Sequence, residues 1–100
     1  MNEIWCVVEC GSEGEIFQPD FFTSKEEATA FIEEETKECL FNMTDLPGAD
    51  RRTDIVDGDP VGEVWTDKYS WVWHGFEVTD KLLNIQLMNY MKVKENDNNV

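Results

Sequence analysis

The stretch from Ser24 to Phe41 constrains the fold most, because its pattern is that of an acidic amphipathic helix. Ser24 opens it and Glu27 follows three residues on, a capping-box pair. Ala28, Phe31, Ile32 and Cys39 recur at helical spacing along one side, with Thr36 and Leu40 at its margin. Glu26, Glu27, Glu33, Glu34 and Glu38 fall on the other side, and Glu33 with Lys37 makes a favourable i,i+4 pair. The apolar side needs a sheet to pack on. Glu35 is the misfit: its angle puts a carboxylate within the apolar side, where it must reach past the sheet edge or meet a buried donor.

Strand-like segments flank the helix. Glu3 to Cys10 is apolar on both sides near its middle, as in a central strand. Gly11-Ser12-Glu13-Gly14 is a turn, and Glu15 to Phe22 pairs back as a hairpin strand that Pro19 interrupts or confines to an edge. Residues 42–61 form a long connection punctuated by Pro47-Gly48, Asp57-Gly58 and Pro60, with Arg51 and Arg52 neutralising its acids. Gly62 to Asp67 and Tyr69 to Thr79 make a second hairpin that holds three of the four tryptophans. Asp80 to Lys92 fits a short helix capped by Asp80, although Leu83, Ile85 and Leu87 also fit a strand. Residues 94–100 are polar and read as a disordered tail.

The expected architecture is one α+β domain over residues 1–93. It has a four-stranded, mainly antiparallel sheet in ββαββ order, the acidic helix on one face and a short C-terminal helix. Alternation assigns Ile4, Cys6, Val8, Val64, Val72, Phe76 and Val78 to the helix side. Trp5, Val7, Trp65, Trp71 and Trp73 then face the opposite way, with Leu83, Leu87 and Met91 covering Trp71 and Trp73. Gly75 leaves a gap beside the tryptophans that a bulge or another chain can enter.

Charge narrows the function classes. The chain of 100 residues carries a net charge of −14, and residues 1–50 hold thirteen acids against two bases. Phosphates are repelled by such a surface, so a direct nucleic-acid partner is not expected, and a basic partner is. The same charge opposes base stacking on the aromatic strands, a mode that needs a basic groove. No apolar run reaches the length of a membrane span, and Met1 to Trp5 has no basic stretch of a signal peptide. Three widely spaced cysteines argue for free thiols in a reduced, cytoplasmic setting.

Specific chemistry finds little support. Cys6 and Cys10 on a straight strand lie about 13 Å apart, too far for two ligands of one zinc. Asp54, Asp57 and Asp59 invite calcium, but Ile55 and Val56 interrupt the alternation and no glutamate closes the loop. His74 is the lone general-base candidate, without a recognisable nucleophile motif. The expectation is therefore no catalytic residue, no metal and no cofactor.

The expected function is that of a small acidic protein binding and blocking a basic, nucleic-acid-binding surface of a partner protein. Glu26, Glu27, Glu33, Glu34, Glu38, Asp54, Asp57 and Asp59 are the expected contact residues. Phage-encoded anti-CRISPR and anti-restriction inhibitors offer an analogy of charge and size, not of fold. The alternatives are an assembly module that homodimerises through its aromatic sheet face, and a small enzyme using His74.

Overall fold

A run of apolar residues from Trp5 to Val8 builds the first strand of a five-stranded antiparallel sheet, in a computed structural model that describes residues 3–78. In chain order the elements are β1 (Trp5–Cys10), β2 (Asp20–Phe22), α1 (Lys25–Phe41), β3 (Asp50–Val56), β4 (Asp59–Trp65) and β5 (Ser70–Glu77). Their spatial order is β2-β1-β5-β4-β3, with every neighbouring pair antiparallel. The interior place of β1 and the edge place of β2 follow the sequence expectation. Pro19 stands just before β2, and the earlier part of that arm meets β1 only at the Cys10↔Ile16 bridge. The segment expected to form a C-terminal helix, its capping of Trp71 and Trp73, and the tail at 94–100 lie outside the described residues.

The sheet has five strands rather than four, because residues 50–56 are a strand and not part of a long loop. β3 escapes a hydrophobicity pattern because it is an edge strand, polar except at Ile55 and Val56. Its turn was the readable signal. Asp57 at φ 52° and Gly58 at φ 86° supply the two positive φ values of a two-residue hairpin. That turn makes Val56 and Asp59 a hydrogen-bonded pair, so the amides of Arg51, Thr53 and Ile55 point out of the edge. Asp50 Oδ1 accepts from Arg51 N at 2.8 Å, and Asp54 Oδ1 accepts from Ile55 N at 2.7 Å. These self-made bonds blunt an edge that could otherwise pair with another chain.

The helix begins as its sequence requires. Ser24 Oγ accepts from Glu27 N at 3.1 Å. The Glu27 carboxylate reaches past Ser24 to accept from Thr23 N and Thr23 Oγ1. Ala28, Ile32 and Thr36 are buried, with Phe31, Cys39 and Leu40 half-buried beside them. Thr36 is therefore central to the buried side rather than marginal. Its hydroxyl donates to Glu33 O and accepts from Arg51 Nη1, both at 3.0 Å.

The two faces of β1 and β5 are the reverse of the expected assignment. Trp5, Val7, Val64 and Trp73 pack with Ala28 and Ile32 in the core, and Trp71 packs against them. Trp73 is 2% exposed, so it does not point away from α1. Cys6, Val8, Val72 and Phe76 take the opposite face, where Val72 is exposed. β4 was read correctly, with Val64 inward and Trp65 outward.

Size explains the reversal. The indoles carry the larger apolar area and gain more from burial. Two glycines on their face make room for the layer above. A Cβ at Gly62 would lie 2.6 Å from Ile32 Cγ2 and 2.8 Å from Thr36 Cγ2, so α1 crosses the sheet at that point. The gap at Gly75 is filled by this chain's own Pro60, whose Cγ would lie 2.8 Å from an added Cβ. Pro60 has no N–H to offer, and the β4–β5 ladder starts one residue later at Val61↔His74.

Candidate functional site

The carboxylates singled out in the sequence separate into three groups. Glu26, Glu27, Glu34 and Glu38 are exposed on α1. Lys37 Nζ lies 3.9 Å from Glu34 Oε1, so this lysine pairs with Glu34 and not with Glu33. Such an exposed pair contributes little to stability. No base stands in the last turn of α1, although a cation there would complement the helix dipole.

Glu33 does not belong to that outer row. It turns to the sheet, accepts from Thr53 Oγ1 and lies 3.4 Å from Arg51 Nη1. The sequence could not show this, because both partners sit on the unrecognised β3. The Thr53 hydrogen bond, aided by Arg51, holds the Glu33 carboxyl below its ordinary range although burial pushes it up. Arg52 instead pairs with Glu63 across β3 and β4 at 3.4 Å.

Asp54, Asp57 and Asp59 are not a converged set either. Asp54 caps its neighbour's amide, Asp57 shapes the hairpin turn, and Asp59 Oδ2 lies 3.1 Å from His74 Nε2. Among the described residues, no three acidic, histidine or cysteine groups converge on one metal position. His74 thus has an orienting carboxylate, and its ring meets Phe76 edge-on at 6.3 Å. No hydroxyl or thiol among the described residues hydrogen-bonds to it.

Sequence reading missed one acidic group. Glu9 shares the inward face with Trp5 and Val7, and it pairs across the ladder with Trp73. Burial, and then Glu35, push its carboxyl up; the nearby Trp73 N–H opposes the rise and Asp20 adds to it. Trp73 Nε1 is buried without a hydrogen-bond partner, so that influence acts at longer range than a formed bond. Glu35 is pushed up by burial, then by Glu38 and Asp20. The misfit carboxylate on the helix has therefore met other acids, not a buried donor. The signal for Glu9 was available in the odd-numbered alternation of β1.

The three thiols are free: Cys6 is buried, Cys39 half-buried and Cys10 exposed. Burial, then the charges of Glu9 and Glu35, push Cys39 up to about 11, which leaves it an unreactive thiol at neutral pH. Cys6 is also pushed up, by burial and then by Asp20.

The two carboxylate environments predict opposite pH dependences. Glu33, held low, contributes stability that is present above its unfolded-state pKa and lost as pH falls through the lower folded value. Glu35, held high, carries the reverse sign: its cost is absent below the unfolded value and grows as pH rises through the folded one. Urea denaturation at neutral pH should therefore show Glu33→Gln destabilised and Glu35→Gln stabilised. Both differences should shrink at about pH 3.5, below the ordinary carboxylate range. Equal effects at the two pH values would contradict these environments.

No protein-family model, curated protein or solved structure matches the chain. No helix among the described residues is long and apolar enough to cross a membrane.

Proposed function

We propose that this chain binds a basic, nucleic-acid-binding surface of a partner protein and blocks it. The observation that supports the reading is the outer face of α1. Glu26, Glu27, Glu34 and Glu38 are exposed there, and Lys37 forms the one ion pair with them among the described residues. Glu38 also stands near the negative end of the helix dipole, where an acid costs stability.

The contact set differs from the one read in the sequence. Glu33 is engaged with β3, so the helix presents Glu26, Glu27, Glu34 and Glu38. The test is capture of partners from lysate at low and at high salt. Reversing Glu26, Glu34 and Glu38 to Lys raises the net charge by six. It should abolish the salt-sensitive captures while far-ultraviolet circular dichroism stays unchanged. Undiminished capture by the reversed variant would remove α1 from the contact.

A second reading has its own observation. Phe21 is 63% exposed on the sheet face away from α1, and Val56 and Val72 are exposed on the same face. Exposed apolar side chains spread over this face support an assembly module that associates through it. Its association should persist at high salt, whereas the electrostatic contact should not.

A further inference from the structure

The end of the molecule where α1 stops carries a hollow that the acidic helix face does not include. We propose that this hollow is a receptor for one arginine side chain of the basic partner. The proposal rests on the basic-partner reading and gives that contact an anchor.

The hollow has a volume of about 410 Å³ and is lined by Glu13, Glu15, Met43, Leu46, Tyr69 and Trp71. The Tyr69 and Trp71 rings lie 6.1 Å apart, tilted by 42°. Tyr69 is 45% exposed, so its ring is open to a ligand. A second hollow of about 300 Å³ continues from Leu46 and Tyr69 to Pro47, Asp67 and Lys68. Together they form an aromatic and aliphatic groove: the second hollow holds Asp67 beside Lys68, whereas the first holds the exposed carboxylates of Glu13 and Glu15 with no base in its lining.

Hydrogen bonds between the surrounding loops hold the groove in shape. Asp67 N donates to Pro47 O at 2.9 Å, and Ser70 N donates to Ser12 Oγ at 3.2 Å. Thr66 N donates to Tyr69 O at 2.8 Å and closes the β4–β5 turn. A preformed groove spares a ligand much of the cost of ordering the loops.

Charge and shape together select the occupant. Anions are repelled by Glu13 and Glu15. A neutral apolar group fills the walls but leaves both carboxylates to lose water without compensation. A cation on an apolar stem satisfies both parts. Its methylenes lie along Met43 and Leu46, its charge stacks on Tyr69 or Trp71, and its N–H groups donate to the carboxylates. Guanidinium is favoured over ammonium because it is planar and weakly hydrated, so it stacks and forks at once. The hollow also begins just past α1, whose last turn has no base to offset the negative end of its dipole.

The test is a titration of the isotopically labelled full chain with N-acetyl-arginine amide, read at the Trp71 indole N–H by NMR. N-acetyl-citrulline amide is the uncharged control of the same shape, and N-acetyl-lysine amide the ammonium control. Arginine amide should shift the Trp71 signal to saturation in the millimolar range, lysine amide roughly threefold more weakly, and citrulline amide hardly at all. Joint Glu13→Gln and Glu15→Gln replacement should weaken arginine amide roughly fivefold or more, and Tyr69→Leu roughly threefold. Circular dichroism on each variant keeps misfolding apart from lost binding.

An equal response to citrulline amide overturns the proposal. So does a Trp71 signal that stays still while signals on the outer face of α1 move. Partner capture run beside the titration separates the two claims. If a Glu13→Gln, Glu15→Gln, Tyr69→Leu variant captures the partner as strongly as the unaltered chain, the hollow is not the anchor and the basic-partner reading survives. If the unaltered chain captures no basic partner, that reading fails, and the titration alone decides the hollow.

Discussion

Replacing Trp73 by alanine should destabilise the domain by roughly 3–5 kcal/mol, the usual cost of removing a buried large aromatic side chain. Trp73 stands on the interior strand β5, between Glu9 of β1 and Gly62 of β4. Its indole joins both halves of the core to Ala28 and Ile32 of α1. A small domain has total stability of about 5–15 kcal/mol, so this one change can remove much of it. Val72→Ala, one residue away on the exposed face, should cost under about 1 kcal/mol. Trp73→Phe should fall between them: it keeps part of the packing and removes a buried N–H that has no partner. Equilibrium urea denaturation of the three variants gives the order directly. A Val72→Ala cost as large as that of Trp73→Ala would mean that the faces of β5 are reversed.

Gly62→Val is the second large effect, expected at roughly 3 kcal/mol through overpacking. The first atom of any side chain at Gly62 meets methyl groups of Ile32 and Thr36, both in the buried centre of α1. Those methyls have no free space to retreat into. Thr36 is tied by its hydroxyl to Arg51 and to the Glu33 carbonyl. The helix must then lift from β4, loosening the Arg51 and Thr53 contacts to Glu33 with it. The thermal midpoint should therefore fall, and the stability that Glu33 supplies above its unfolded-state pKa should fall too. A Gly62→Val protein as stable as the parent would show that the helix does not cross the sheet at this residue.

Several features of this fold were legible because one local signal decided each of them. Ser24 and Glu27 mark the start of α1, and Ala28 with Ile32 mark its buried stripe. Pro19 marks where the arm leading into β2 breaks. Two features were not legible from apolar periodicity. The first is β3, whose residues are polar because an edge strand needs no buried face along most of its length. The Asp57-Gly58 turn gave the hairpin away, but only when weighed as a φ requirement and not as loop punctuation. The second is which side of β1 and β5 faces α1. Both sides of these strands are apolar, so alternation alone is symmetric, and the decision lies in three-dimensional fit. Trp73 beside Gly62 makes a hollow that a helix can enter, and no count of apolar residues contains that fact.

The candidate site follows the same division. Glu26, Glu34 and Glu38 are exposed as the helical angle requires. Glu33 turns inward because Arg51 and Thr53 await it, and those partners become visible once β3 is in place. Glu35 was recognisable as misplaced on the helix, while its interplay with Glu9 depended on which face of β1 is buried.

The central claim is that the acidic face of α1 occupies a surface that otherwise holds nucleic acid. The most direct measurement is competition. A partner captured in a salt-sensitive manner is loaded with a fluorescent duplex, and the chain is titrated in while anisotropy is followed. The duplex should be displaced as the chain binds, and the Glu26→Lys, Glu34→Lys, Glu38→Lys variant should displace none of it. If the chain binds the partner while the duplex stays bound, the acidic face does not stand in for phosphates, and the account is contradicted.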